Sequence, residues 1–475
     1  MSVFTKKRVV RGMILLLLVA AVYLGYSNRE YIGQLPIGCG FKAEILCSGI
    51  FTSGRDPKTV EAEDIGFHPL FKIIKAKVDY EHKSVTASLF GLGLFQKKAV
   101  YIEGFGAVLL SGVREDAVRA WKPTIPSSEP AHPEAVAWPT GDLVPEGSFP
   151  SGIDEGRLDA TVSGLFQEHN PNHLLRTRAV LVVYDGRIVA ERYAPGYGPE
   201  TRLTSWSAAK SVGNALIGIL CGRGKLDIFK PAPVPEWQAP GDPRQAISVD
   251  QLLRMSSGLE WFEAYADHPI SDVNRMLFTV PDMAGFAAKK PLAAEPGTKW
   301  EYSSGTSLLL SRIIRNVLGS PNEYWAFPRR ELFNKIGMRS AVLECDASGT
   351  FITSSLLYAT ARDFARFGLL YLNDGVWQGE RILPESWVAY STTPTPPAAL
   401  GQYGAQFWLN KGTPTKSEGR LFPRLPQDFY SCEGYQGQMI AVIPSRKLVV
   451  VRLGMTYDDN WGMGKFLEDV LAAIK

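Results

Sequence analysis

The sequence predicts a mixed α/β domain in which strands and a helix lie at both ends and a helical block lies between them. Near its start, RLDATVSGLFQEH is typical of a helix, and TRAVLVVYDGRIVAERY is typical of a hairpin that turns at Asp185-Gly186. Near its end, QMIAVIPSRKLVVVRLG has the pattern of two strands, and GKFLEDVLAAIK has that of an amphipathic helix. Residues 207–372 between them are mostly helical in pattern, with loops at glycine and proline.

Four parts are predicted along the chain. Residues 1–30 form a membrane anchor or a signal segment, residues 31–120 a small β-rich segment, residues 121–154 a proline-rich linker, and residues 155–475 the α/β domain. The β-rich segment rests on KIIKAKVDY, SVTASLF and KKAVYIEGF, in which β-branched and aromatic residues alternate with polar ones. The linker contains too many prolines for a helix or a central strand.

The N-terminus places a basic patch before an apolar run. Lys6, Lys7, Arg8 and Arg11 precede Gly12–Tyr26, a combination typical of a signal peptide or of a single membrane anchor. No A-x-A cleavage site follows the run, which favours an uncleaved anchor over secretion after cleavage. The basic side would stay in the cytoplasm, so the rest of the chain would lie outside it, in the periplasm if the protein is bacterial.

Charge and cysteine content narrow the function classes. The net charge of +3, with no dense cluster of Lys and Arg beyond the N-terminus, argues against nucleic acid as a partner. The cysteines and histidines match no zinc pattern. In an oxidising compartment Cys39 and Cys47 are close enough in sequence to pair, and the sequence leaves this open. Cys345 and Cys432 could pair only if the fold joins them, and Cys221 is expected as a buried free thiol.

The run SWSAAKSVGNALIGIL places a serine and a lysine one helical turn apart. Ser207 would lie at a helix N-terminus, where backbone N–H groups favour an oxyanion, and Lys210 would share its face. Sheltered from water, Lys210 would have a lowered pKa and could act as a base. The alternative is an N-cap serine beside a snorkelling lysine. Ser-His-Asp chemistry lacks support, because there is no G-x-S-x-G elbow and only His268 follows Ser207.

Two later segments are further candidates for the same chemistry. In EPGTKWEYSSGTSLLLSRII, Tyr302 lies in a loop before an apolar helix, where it could exchange a proton with Ser207 or simply pack. In CEGYQGQMIAVIPSRKLVVV, Gly434 and Gly437 flank the start of a strand. An edge strand there could offer a backbone N–H to an oxyanion, although the glycines alone are compatible with any strand.

Together the three segments resemble the motifs of serine hydrolases of the β-lactamase and penicillin-binding-protein family. The resemblance is to class C β-lactamase relatives, esterases and 6-aminohexanoate-dimer hydrolase. SAAK from Ser207 to Lys210 stands at the Ser-x-x-Lys motif, YSS from Tyr302 at Tyr-x-Asn or Tyr-x-Ser, and YQG from Tyr435 at Lys-Thr-Gly or His-x-Gly. The resemblance covers about residues 155–475 and marks that range as a β-lactamase-like serine hydrolase domain.

The resemblance implies an α+β sandwich: an antiparallel sheet flanked by helices, with an inserted all-helical subdomain and the site at their junction. It implies Ser207, Lys210 and Tyr302 as catalytic residues, with the backbone N–H groups of Ser207 and Gln438 as oxyanion donors. It requires no metal and no cofactor. It implies substrate contacts by Tyr265, Ser304, Tyr435, Gln436 and Gly437. The placement of Tyr265 is loose, and a packing role for it stays open.

Two departures from the β-lactamase pattern bear on the substrate. Ser304 stands in place of Asn, and Tyr435 in place of a Lys that would hold the substrate carboxylate and favour a tyrosinate. Lys210 and Tyr302 would then share a proton. We therefore expect hydrolysis of an amide or ester of a small molecule through an acyl-enzyme on Ser207. The alternatives are a D-alanyl-D-alanine-type peptidase or β-lactamase-like enzyme, and a non-catalytic binding or sensor protein.

Overall fold

The computed structural model describes residues 29–127, 130, 132–144, 150–412, 419–458 and 460–474. The candidate anchor Gly12–Tyr26 lies outside these residues. The N-terminal part contains, in order, helix α1 (Arg29–Cys47), α2 (Pro57–Val60), α3 (Leu70–Ile73), strands β1 (Ile74–Asp79), β2 (Ser84–Leu89), β3 (Leu94–Ile102) and β4 (Gly106–Leu109), and helix α4 (Glu115–Arg119).

The remaining elements follow the proline-rich stretch. They are α5 (Glu155–Gly164), β5 (Thr177–Tyr184), β6 (Arg187–Tyr193), β7 (Leu203–Thr204), α6 (Ala209–Gly222), α7 (Val249–Leu253), α8 (Asp272–Thr279), α9 (Met283–Ala288), α10 (Ser304–Leu318), α11 (Pro321–Pro328), β8 (Val342–Leu343), β9 (Leu357–Ala359), α12 (Ala361–Leu372), β10 (Val376–Trp377), β11 (Glu380–Arg381), α13 (Trp387–Ser391), β12 (Trp408–Leu409), β13 (Tyr430–Gly434), β14 (Gln438–Ile443), β15 (Leu448–Gly454) and α14 (Met463–Ala473).

A six-stranded antiparallel sheet joins the two ends of this second part. Its strand order is β12-β13-β14-β15-β5-β6, so the early hairpin β5–β6 pairs with the late strand β15. Helix α12 packs against β14 and β15, while α5 and α14 pack together on the other face. Leu181 and Val183 enter one core, and Val180 and Val182 enter the other. The predicted antiparallel sheet flanked by helices is confirmed.

The N-terminal part is a four-stranded antiparallel meander covered by a long helix. The strands follow the order β1-β2-β3-β4, and α1 packs against β2 and β3 as well as against α8. Helix α1 is absent from the prediction because Pro36 and its glycines are poor helix formers. Gly40 has a packing role there, because a Cβ atom at this position would lie 2.1 Å from the carbonyl oxygen of Phe278 on α8.

The same helix bears on the question of a membrane. Within the described residues, Glu30–Thr52 is the one helical stretch whose length and apolar composition would suffice to cross a membrane. Of its apolar window, 78% is buried inside the protein. A core helix of a soluble protein meets the same criterion, so this stretch is weak evidence for membrane association.

All five cysteines are free. Cys39 and Cys47, whose pairing the sequence leaves open, both lie on α1. Their separation along the helix axis is about 12 Å, beyond the roughly 7 Å that a disulfide tolerates between Cα atoms. Cys345 and Cys432 are buried free thiols. Cys221 is also free but only half-buried, since it lies near the end of α6 rather than beyond it.

Buried ion pairs attach the N-terminal part to the central sheet. Arg178 on β5 is 4% exposed, and its Nη1 donates to Asp64 Oδ1 at 2.7 Å. Arg55 Nη1 lies 2.6 Å from Asp64 Oδ2, and Arg178 Nη2 donates to Glu63 Oε2 at 3.0 Å. Removing one partner of such a group leaves the others charged and desolvated, which costs more than the pair itself contributes.

We expect Asp64→Asn to lower the free energy of unfolding by about 3 kcal/mol, because two arginines then face a neutral side chain. Urea denaturation of the full chain, followed by tryptophan fluorescence, measures the loss. Asp159→Asn is the control, since the 2.8 Å pair between Arg192 and Asp159 is solvent-exposed. That variant should change stability by less than about 1 kcal/mol. Equal losses in the two variants would contradict a docking role for Asp64.

Candidate active site

Ser207 lies in a tight turn that connects β7 to α6. A 3₁₀ turn spans Trp206–Ala208, and Trp206 has a φ of +43°, a region that bulky residues rarely adopt. Such a conformation persists only where the surrounding packing imposes it. Here Trp206 is buried and meets the ring of Tyr435 edge-on, with the ring centroids 5.9 Å apart. The turn places Ser207 at the beginning of the helix, as its sequence predicts.

The amine of Lys210 is buried where three segments of the chain meet. Its Nζ lies 3.0 Å from Ser207 Oγ, 3.0 Å from Ser304 Oγ and 2.9 Å from the carbonyl oxygen of Ser354. The ring of Tyr302 faces the same amine, with 4.8 Å between Nζ and the ring centroid. Burial lowers the pKa of Lys210 to about 8, although the charge of Glu263 acts to raise it. Neutral Lys210 is therefore well populated near pH 8.

Glu263, which the sequence analysis did not identify, accepts four hydrogen bonds from groups near this amine. Its Oε1 accepts from Ser304 Oγ at 2.6 Å and from the Tyr265 hydroxyl at 2.7 Å. Its Oε2 accepts from the Ser304 backbone N–H at 2.9 Å and from Trp261 Nε1 at 2.5 Å. An acidic residue inside the aromatic run EWFEAY is the sequence signal that could have indicated it.

The donors and acceptors around Lys210 determine where a proton can move. The Ser354 carbonyl can only accept, and the Ser304 hydroxyl already donates its proton to Glu263. The third group, the Ser207 hydroxyl, can donate either to the lone pair of a neutral Lys210 or to the oxygen of Tyr265, because Tyr265 gives its own proton to Glu263. The Ser207 side chain also hydrogen-bonds the hydroxyl of Tyr265, whose pKa burial raises well above its usual range, with Glu263 adding to the effect.

The hairpin β13–β14 packs closely against the turn that carries Ser207, and a glycine allows this close contact. A Cβ atom at Gly434 would lie 2.1 Å from the carbonyl oxygen of Ser205, so no larger residue allows this approach. Gln438 pairs with Gly434 across the hairpin. The Gln438 side chain donates to and accepts from the backbone of Gly454, at 2.6 and 3.1 Å. The side chain of Gln438 is therefore held within the sheet.

Ser207 opens into a cavity of about 370 Å³. Lys210 and Ser304 lie behind Ser207 and are buried. Gln436 is 1% exposed, lies outside this lining, and its amide has no hydrogen-bond partner among the described residues. The cavity is lined by the following candidate residues from the sequence: Ser207, Tyr265, Tyr302, Tyr435, Gly437 and Gln438.

The cavity carries acidic rather than basic groups. Glu263 and Glu433 are part of its wall, and none of its described lining residues is lysine or arginine. Tyr435 stacks on Tyr265, with ring centroids 4.6 Å apart and an interplanar angle of 18°. Within the described residues, no group of three or more His, Cys, Asp or Glu is placed to hold a metal ion. Because the described wall contains two glutamates and neither lysine nor arginine, it disfavours a substrate carboxylate.

An antiparallel sheet covered by helices, with a buried serine–lysine pair where it meets a helical block, defines the fold class of the β-lactamases and penicillin-binding proteins. Residues 162–460 match the family model described as Beta-lactamase. Because this range covers more than half of the chain, the protein belongs to the β-lactamase family. The family resemblance predicted from the three motifs is confirmed.

Three individual proteins are similar to parts of this chain. The 6-aminohexanoate-dimer hydrolase of Paenarthrobacter ureafaciens is 28% identical over 246 residues, which cover 49% of this chain and 61% of that relative. A solved structure assigned as a 6-aminohexanoate-dimer hydrolase from Bacillus anthracis has 25% identity and a TM-score of 0.51, over 62% of this chain and 77% of its own. A family VIII carboxylesterase, 15% identical with a TM-score of 0.53, shares the fold over 69% of this chain and 99% of its own. The matched region covers less than two thirds of the first of these relatives.

We expect Glu263→Gln to lower the pKa of Lys210 further, because the substitution removes a charge that raises it. If neutral Lys210 is the base, the pH at which Ser207 becomes reactive should fall with that pKa. The measurement is the rate of Ser207 labelling by a fluorophosphonate between about pH 6 and about pH 10. Glu433→Gln is the matched control, since Glu433 lines the cavity but is not a cause of the Lys210 shift. A midpoint that stays constant or rises in Glu263→Gln would contradict this role.

Proposed function

We propose that the protein hydrolyses an amide or ester bond of a small substrate through an acyl-enzyme on Ser207. The observation that carries the proposal is the buried contact of Lys210 Nζ with Ser207 Oγ at 3.0 Å, beside a Ser304 hydroxyl that donates to Glu263 and a Ser354 carbonyl that can only accept. A nucleophile paired with a base of lowered pKa is the arrangement that covalent catalysis requires.

The proposed reaction has two stages. Ser207 Oγ attacks the carbonyl carbon while its proton passes to Lys210, with Tyr302 sharing that proton. Backbone N–H groups of Ser207 and Gln438 stabilise the oxyanion. The C–N or C–O bond then breaks as the leaving group takes the proton through Tyr302. In the second stage water attacks the acyl carbon and Lys210 accepts its proton. The bond between the acyl carbon and Ser207 Oγ then breaks, Lys210 returns the proton to Oγ, and the acid product leaves.

The remaining candidate residues receive different proposed roles. Tyr265, Tyr435 and Gly437 contact the substrate, since they form the cavity wall. Ser304 acts as a positioning residue, because its hydroxyl links Lys210 to Glu263. For Gln436 a substrate contact has little support, because its side chain is buried outside the cavity lining.

The substrate that fits best is a small amide or ester without a carboxylate beside the scissile bond. Tyr435 in place of lysine, together with the acidic Glu433 in the wall, supports this choice. The similarity to a 6-aminohexanoate-dimer hydrolase supports a linear amide, and the shared carboxylesterase fold is compatible with an ester. The peptidase and β-lactamase alternatives would need a carboxylate-binding group at this wall. A binding or sensor role would not require the Ser207–Lys210 contact.

The decisive experiment measures hydrolysis of p-nitrophenyl acetate, a 6-aminohexanoate dimer and nitrocefin by the full chain. We expect turnover of the ester or the amide, and a loss of at least about 1,000-fold in Ser207→Ala and in Lys210→Ala. Ser211→Ala is the matched control, a buried serine on α6 whose hydroxyl donates to the carbonyl of Gln406. Fluorophosphonate labelling of wild type, absent in Ser207→Ala, separates an enzyme from a binding protein. A wild type that is inert and resists labelling would contradict the proposal.

We further propose that residues 1–30 anchor the protein in a cell membrane with the hydrolase domain outside the cytoplasm. The support is the basic patch and apolar run ahead of α1. After carbonate washing of membranes, the full chain should remain in the pellet, and a chain that begins at Tyr31 should not. A full-length chain recovered in the supernatant would contradict the anchor, and a shortened one would indicate secretion after cleavage.

A further inference from the structure

A second cavity lies behind the active-site wall. It has a volume of about 70 Å³ and is formed where α1 meets α3, α8 and the loop after residue 259. Ile37, Gly38 and Phe41 on α1 line it, together with Phe71 and Leu277. None of its described lining residues is Asp, Glu, Lys or Arg. Its walls therefore offer an alkyl group the burial from water that stabilises apolar contacts.

This second cavity is adjacent to the site of Ser207 and shares a wall with it. Tyr265 and Tyr435 belong to the walls of both cavities, so the stacked pair of rings is the partition between them. Trp206, the neighbour of Ser207, lines the second cavity. A substrate held at Ser207 therefore has one end against the partition, with an apolar space directly behind it.

Tyr265 is the member of the partition that lies outside the hairpin β13–β14. It lies in an irregular loop, and the next residue, Ala266, is exposed while lining the second cavity. The Tyr265 ring is held by its stacking on Tyr435 and by hydrogen bonds of its hydroxyl to Glu263 and Ser207. Rotation about its side-chain bonds would break these contacts without unfolding any helix or strand.

We propose that the second cavity receives a short unbranched alkyl portion of the substrate, and that Tyr265 turns aside to join it to the site of Ser207. The proposal rests on the proposed hydrolase function. It follows from the wall that the two cavities share and from the absence of Asp, Glu, Lys and Arg in the described part of the second lining. It also gives α1, a helix of the N-terminal part, a direct role in substrate selection.

The kinetic test uses the full chain and two ester series, p-nitrophenyl alkanoates from acetate to decanoate and n-alkyl acetates of the same lengths. We expect kcat/KM in one series to rise about fourfold per methylene until the cavity is full, and then to level off. Gly38→Leu should abolish the rise with chain length. A Cβ at Gly38 meets only the side-chain ends of Ile74 and Leu70, at 2.8 and 2.9 Å.

Gly33→Leu is the matched control, because Gly33 lies on the same helix, meets Ile270 and does not line the cavity. Equal thermal midpoints for the two variants exclude a general loss of folding. The opposite change, Phe71→Ala, should move the optimum to a longer chain. A Ser207-dependent activity that is flat in both series, or that is equally affected by both leucine variants, overturns the second cavity as a subsite and leaves the hydrolase proposal standing.

A binding measurement separates the two proposals if no ester is hydrolysed. Calorimetry with uncharged n-alkyl amides from butyramide to decanamide on the Ser207→Ala chain reports the subsite without catalysis. An affinity that rises with chain length in Ser207→Ala, and a loss of that rise when Gly38→Leu is added to the same chain, support the subsite even if the hydrolase proposal fails. Affinity that does not depend on chain length, together with flat kinetics, overturns it.

Discussion

The candidate site depends on the burial of one amine. Lys210 Nζ lies at the start of α6 and contacts Ser304 at the start of α10 and the carbonyl of Ser354 before β9. A buried amine without partners would be costly, and these contacts satisfy it. Because they come from distant parts of the chain, satisfying the lysine also fixes how α6 lies against α10 and against the segment before β9. The position of Ser207 follows, since it is one helical turn away.

The sheet was predictable because its evidence is local. Strands β5, β14 and β15 are bounded by turn residues, and their apolar runs are needed because both faces of the sheet are buried. Helix α1 was not predictable in the same way. Pro36 and several glycines argue against a helix locally, and the reason for Gly40 is the approach of a carbonyl from α8, which the sequence does not display.

In the candidate site, too, residues with a local sequence signal were predicted, and residues that come together only in the fold were not. Ser207 and Lys210 stand out because a spacing of one helical turn is visible in the sequence. Glu263 and the Ser354 carbonyl were missed, because they reach the amine only through the fold and belong to no motif. For Gln436 the motif position is visible in the sequence, but the burial of its side chain is not. Its motif position implies a substrate contact, but the turn buries it.

Glu263 has two effects on Lys210 that work together. Its charge raises the lysine pKa against burial, which brings that pKa to about 8, and a base is most effective when its pKa lies near the working pH. Its hydrogen bond from Ser304 also reserves the lysine lone pair for Ser207. Tyr265 donates to the same carboxylate, so turning Tyr265 aside removes one donor and leaves more of the Glu263 charge to act on Lys210. Opening the partition would thereby raise the Lys210 pKa, which makes the amine a stronger base but leaves less of it neutral at a given pH.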